Sequence, residues 1–149
     1  TTFFKNFIMI SNDIITTRRA TRAMILQVLY EVDSVKHDPH TILESMVMLG
    51  HLSPSAEAFA YNLINEMLLN IEELDNIIAK HAPSWPINQM PTVDRNILRT
   101  AIYEMELSRE TPPKVAINEA VNLAKVFGSD SAPKFINGVL GSVVGEIKI

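Results

Sequence analysis

From Thr111 to Gly141 the chain reads TPPKVAINEAVNLAKVFGSDSAPKFINGVLG. Its apolar residues return at spacings of three and four. Ile117, Ala120, Val121 and Ala124 form such a stripe, the pattern of a helix with one face in a core. Lys114, Asn118, Asn122 and Lys125 fall on the opposite, wet side. Thr111 is placed to cap this helix, with Pro112 at its first position, where a missing N–H costs nothing. Gly128, after Phe127, predicts a left-handed C-terminal cap. Ser129, Asp130 and Ser131 offer oxygens to cap a second helix, and Pro133 fits its first turn. Lys134 and Phe135 then stand side by side where that helix has free backbone N–H groups. A cation, an aromatic face and a helix N-terminus at one corner suit an anion that carries a stackable base.

The same periodicity extends along the chain. It predicts helices over Thr17–Val35, Thr41–Leu49, Pro54–Asn70, Glu72–His81, Val93–Leu107 and Ala132–Glu146, besides the one opening at Pro112. Gly50 ends the second. Phe59, Leu63 and Met67 are the inward stripe of the third, and Leu74, Ile77 and Ile78 that of the fourth. Thr92 is expected to cap the fifth, whose core stripe is Ile97, Leu98, Ala101, Ile102 and Met105. No stretch alternates as a strand does. The expected fold is therefore all-α, a single domain of about seven helices. Pro83, Pro86 and Pro91 interrupt the chain around Trp85, a residue expected to plug the core or clamp two helices. Gly138, Gly141 and Gly145 are spaced for close helix packing.

The 149 residues carry a net charge of −4 and no cysteine. Disulfides, thiolate catalysis and cysteine-ligated zinc are excluded, which fits a cytoplasmic protein. An acidic total argues against indiscriminate coating of nucleic acid. Its distribution is uneven: residues 1–36 sum to +2, residues 37–94 to −7 and residues 95–149 to +1. An RNA site would join the two basic ends, and the acidic middle is either a solvated surface or a place for a basic partner. Arg18, Arg19 and Arg22 cluster at the start of the first long helix, where cations oppose the helix dipole. A partner anion or a solvated cap explains them. His37 and His40 have a metal-like spacing without a third ligand, so a loop is expected there. Residues 1–16, with Phe3, Phe4 and Phe7, form an N-terminal extension too short to span a bilayer and without a secretory pattern. Residues 17–149 form the domain. No metal, cofactor or locally readable catalytic constellation is expected.

Lys114–Ala120, Leu123–Lys125, Phe127-Gly128 and Lys134–Leu140 closely resemble the C-terminal signature of the NusB family of bacterial transcription antitermination factors. Arg18-Arg19-x-x-Arg22 with Gln27, Leu29 and Tyr30 resembles that family's arginine-rich first helix. Val93-Asp94-Arg95-x-Ile97-Leu98-Arg99-x-Ala101-x-Tyr103-Glu104 resembles its central helix. The family pattern is often denser in arginine than Ala20 and Thr21 allow here.

The resemblance implies two three-helix subdomains around a shared core, with helices near both termini meeting at an RNA site. It implies binding of boxA-type single-stranded RNA, pairing with the ribosomal protein NusE, and action with other Nus factors on RNA polymerase during ribosomal RNA transcription. Arg18, Arg19, Arg22 and Lys134 would then neutralise phosphates, Phe135 would stack a base and Asn137 would hydrogen-bond one. Asp94 and Arg99 are either an intrahelical pair or further RNA-site residues. Two rivals stand beside this reading. One is the RNA-targeting domain of a ribosomal RNA cytosine methyltransferase, less expected because no catalytic domain follows Ile149. The other is a helical interaction module that binds no RNA.

Overall fold

The structure is a computed structural model, and it describes residues 14–48 and 52–146. The extension's Phe3, Phe4 and Phe7, and Gly50, lie outside the described residues. Among the described residues seven α-helices follow in order: α1 Arg18–Val35, α2 Pro39–Met48, α3 Pro54–Leu69, α4 Ile71–His81, α5 Thr92–Ile102, α6 Pro113–Phe127 and α7 Ala132–Glu146. The all-α class and the helix count agree with the sequence reading. The chain divides into two compact units, Thr1–Glu66 and Met67–Ile149, so that the boundary falls inside the last turn of α3.

In the first unit, Thr17 caps α1 by accepting from the Ala20 N–H at 3.1 Å. Every residue from Thr21 to Leu29 is buried. A helix apolar on most sides is buried on most sides, as expected. The helix α2 begins before the expected Thr41. Asp38 caps it, accepting from the Thr41 N–H at 2.9 Å and the Thr41 hydroxyl at 3.0 Å. That draws Pro39 and His40 into the first turn, so His40 lies in a helix and not in a loop. Ser53 caps α3 through the Ala56 N–H. The Ser53 N–H also donates to the Ile15 carbonyl, beside a lone parallel bridge between Ile15 and Leu52. The buried row of α3 is Ala56, Ala60, Leu63, Ile64 and Met67. Phe59, expected inside, is only half-buried, because it lies beside that row and not on it.

In the second unit α5 packs against α4, α6 and α7. Thr92 is its first residue, with Pro91 in the capping position, rather than its cap. After Ile102 the helix widens into a π-helical turn, Tyr103–Ser108, which ends at Arg109 with φ 57°. The widened end finds a use for Thr111. Its hydroxyl donates to the Glu104 carboxylate at 3.0 Å, and Pro112 takes the capping position of α6 in its place. The buried stripe of α6 is Ala116, Ala120, Leu123, Ala124 and Phe127, with Ile117 and Val121 only half-buried.

Gly128 does not adopt the expected left-handed cap: its φ is −92° and its ψ 178°. The position needs glycine for space. A Cβ there would lie 2.6 Å from the Ala132 Cβ and 2.9 Å from the Ala124 carbonyl oxygen. By contrast, among the described residues a Cβ at Gly138, Gly141 or Gly145 would meet nothing within 4 Å, so these three glycines do not serve close packing between the described helices. The end of α4 is tied to α7 by His81, whose Nδ1 lies 2.8 Å from the Ser142 hydroxyl and whose Nε2 lies 2.7 Å from the Glu146 carboxylate. Lys80 holds the other Glu146 oxygen at 2.6 Å.

Replacing Gly128 by Ala is expected to destabilise the protein by about 1–3 kcal/mol, because the new methyl group overpacks a rigid junction. Urea unfolding measures the loss, and Gly141→Ala serves as the control that is tolerated. Lys80 first, then His81, holds the Glu146 carboxyl below its ordinary value of 4.5. A carboxylate favoured in this way stabilises the fold above that ordinary value and loses its effect as the pH falls from there through its lowered folded-state value. The urea midpoint of Glu146→Gln should therefore lie below the parent's at neutral pH, and the gap should close on acidification.

Candidate nucleic-acid interface

Three groups of residues were expected to form the site. The first stands at the N-terminus of α1. Arg18 and Arg19 are exposed, and Arg22 is 7% exposed. The guanidinium carbon of Arg18 lies 4.0 Å from the centre of the Phe59 ring, and that of Arg22 lies 5.5 Å from it. Two cations one helical turn apart repel each other, and the end of the helix opposes both. The negative face of the ring offsets part of that cost. Burial leaves Arg22 less open to a phosphate than the sequence alone suggests, and Arg18 more prominent.

The second group opens α7. Lys134 and Asn137 are exposed, and Phe135 is half-buried. The Phe135 ring meets the Trp85 ring edge to face, with centroids 5.0 Å apart and planes at 62°. Trp85 does not plug the core, one of its two expected roles: it is only half-buried and forms part of a surface. Together with His81, Pro83 and Lys134, the two rings line a shallow pocket of about 420 Å³. The His81 ties to α7 hold this corner together, since Trp85 leaves the helix α4 only four residues after His81. The turn at Gly128 brings the chain into α7, so Lys134 and Phe135 project from its first turn. The arrangement can take a flat apolar group against the rings and an anion beside Lys134.

The third group is not the intrahelical pair that was one of the two expectations. Asp94 and Arg99 are not each other's partners. Arg99 donates Nε to Asp75 Oδ1 at 2.7 Å and Nη2 to Asp75 Oδ2 at 2.9 Å, a bidentate pair between α5 and α4. Its Nη1 donates to the Asn96 side-chain Oδ1 at 3.1 Å. Arg99 is 7% exposed and its donors are engaged, so it belongs to the scaffold. Asp94 is 2% exposed in the first turn of α5, and burial raises its carboxyl above the ordinary value.

The sequence reading missed Phe59 and the His81 clamp. Phe59 was legible in principle: Ala56, Ala60, Leu63 and Met67 make the better stripe of α3. Nothing local connects His81 to Ser142 and Glu146, more than sixty residues away. On the acidic part of the first unit, burial raises the Tyr61 phenol, with Glu44 and Glu57 adding to the shift. Among the described residues no three His, Asp or Glu side chains are grouped to hold a metal ion. None of the described helices is long and apolar enough to cross a membrane.

Known proteins resemble this chain in sequence and in fold. A family model described as "NusB family" matches residues 19–145. The "Transcription antitermination protein NusB" of Roseiflexus sp. (strain RS-1) is 43% identical over 133 residues, covering 88% of this chain and 94% of that protein. The protein of that name from Dehalococcoides mccartyi (strain CBDB1) is 41% identical over 128 residues, covering 86% and 90%. Among solved structures, T. maritima NusB superimposes with a TM-score of 0.81 at 30% identity, over 89% of this chain and 94% of that one. A chain from the crystal structure of antitermination factors NusB and NusE in complex with dsRNA gives 0.78 at 29% identity, over 86% and 96%. With a family match spanning nearly all the described residues and relatives above 40% identity over most of both chains, this chain belongs to the NusB family.

Proposed function

We propose that this chain is a cytoplasmic transcription antitermination factor that binds boxA-type single-stranded RNA together with the ribosomal protein NusE. With other Nus factors it acts on RNA polymerase during ribosomal RNA transcription. Its part is binding, with no bond made or broken. The observation that carries this reading is the corner at the start of α7, where Lys134 stands exposed beside the Phe135 and Trp85 rings. Single-stranded RNA offers what such a corner takes: an unstacked base for an aromatic face and a phosphate for a cation. Arg18 and Arg19 supply further positive charge, and Asn137 a hydrogen bond to a base edge. Arg22 contributes through the local field more than by contact. Asp94 and Arg99 hold the scaffold behind the surface. Support also comes from the similarity to a chain crystallised with NusE and double-stranded RNA. The acidic stretch of residues 37–94 suits a basic partner, whose arrival would raise RNA affinity by coupling.

Fluorescence anisotropy tests the reading directly. The probes are a boxA-like single strand, a scrambled strand and a duplex of the boxA-like sequence, each with and without NusE. The expected order is boxA-like strand over scrambled strand and duplex, with NusE tightening the first. Phe135→Ala should weaken binding by about tenfold, the usual worth of one stacked base. Lys134→Ala should weaken all strands alike and reduce the salt slope by about 0.7, one phosphate contact to a single strand. Equal affinity for every probe in the presence of NusE, with no effect of Phe135→Ala, would contradict the proposal.

A further inference from the structure

We infer that Phe59 is a positioning residue for RNA binding: its ring holds the Arg18 guanidinium in place for phosphate contact while leaving its charge and donors available. The inference rests on the reading of the chain as an RNA-binding protein. It adds a residue outside the arginine-rich segment, on another helix, that acts through an arginine and touches no RNA itself.

The chain contains its own contrast. Arg99 is fixed by Asp75 in a bidentate ion pair, and Asn96 takes a third donor. A carboxylate holds a guanidinium firmly but cancels its charge and occupies its N–H groups. That suits a residue within a scaffold. Arg18 is fixed differently, with its guanidinium carbon 4.0 Å from the Phe59 ring centre. An aromatic face attracts the cation through its quadrupole, cancels no charge and uses no N–H group. The five N–H donors around the edge of the guanidinium stay available to a phosphate. The ring also limits the rotamers of a long, exposed side chain, so less freedom is lost when RNA binds. Arg22 lies over the same ring at 5.5 Å.

Phe59 departs from the buried row of its own helix. Ala56, Ala60, Leu63 and Met67 carry the packing of α3. A half-exposed phenylalanine beside them, with two guanidinium groups near its ring, is explained by what it holds.

The test compares Phe59→Leu and Phe59→Tyr in the parent chain and in an Arg18→Ala background. Binding of the boxA-like single strand in the presence of NusE is read by anisotropy over a range of salt. Phe59→Leu should weaken binding about threefold to fivefold at an unchanged salt slope, since no charge is lost. Phe59→Tyr, which keeps the ring, should restore parental affinity. In the Arg18→Ala background the Phe59→Leu loss should largely vanish. Unchanged affinity in Phe59→Leu, or an equal loss in both backgrounds, overturns the inference and leaves RNA binding intact. A parent chain that does not distinguish the RNA probes at all overturns the function, and this inference with it. A readout that needs no variant or RNA is the proton spectrum of Arg18. The Phe59 ring current should move its side-chain methylene resonances upfield in the free protein, and ordinary shifts there contradict the geometry.

Discussion

The second unit depends on a close approach that only glycine permits. At Gly128 the end of α6 and the start of α7 come so near that an added Cβ would overlap the Ala132 side chain. The chain leaves α6 in an extended conformation and re-enters a helix within four residues. Ala132 is buried at once, and Lys134 and Phe135 follow in the same turn. The reach of the chain thus sets the register of α7, and α7 presents the cation and the ring. His81 ties the opposite side of this corner through Ser142 and Glu146, and the short loop after it delivers Trp85 edge-on to Phe135. Core packing and surface chemistry are one construction here: the residues that allow the turn also aim the residues proposed to meet a ligand.

Electrostatics separates the arginines by their surroundings. Arg99 lies in the interior of the second unit with its charge matched by Asp75, as a buried guanidinium requires. Arg18 lies in solvent at the one helix end where a cation is least welcome, held by a ring. A cation kept where the fold gains little from it is available to a partner, and the partner that fits is a polyanion. The acidic total charge then matters for selectivity. A chain of net −4 does not gather nucleic acid by charge alone, so the proposed recognition rests on a few placed groups and on a basic partner.

Much of this was legible from the sequence. The periods of three and four gave the seven helices, and α7 runs over the residues expected of it. The first and last of the long helices began where Thr17 and the Ser129–Ser131 segment predicted. The errors fall where two local rules competed. Thr111 and Thr92 are good capping residues, yet proline took the capping position in both places and the Thr111 hydroxyl found Glu104 instead. Gly128 was read through its backbone freedom, when its lack of a side chain was what the junction used. The glycines of α7 were read through the space they save, when none of the described residues fills that space. Arg99 could not be assigned because its partner lies 24 residues earlier on another helix. Lys134 and Phe135 were legible as neighbours in one turn, whereas their pairing with Trp85 depended on the fold.

The central claim is that two particular surfaces, one at each end of the chain, receive RNA. Chemical-shift mapping of the isotope-labelled protein with NusE, titrated with a boxA-like single strand, tests it most directly. The account predicts the largest RNA-dependent changes at Arg18 and Arg19 and at Lys134, Phe135 and Trp85, with Asp94 and Arg99 nearly unmoved. Changes centred on the acidic stretch, or an unperturbed spectrum at RNA excess, would contradict it.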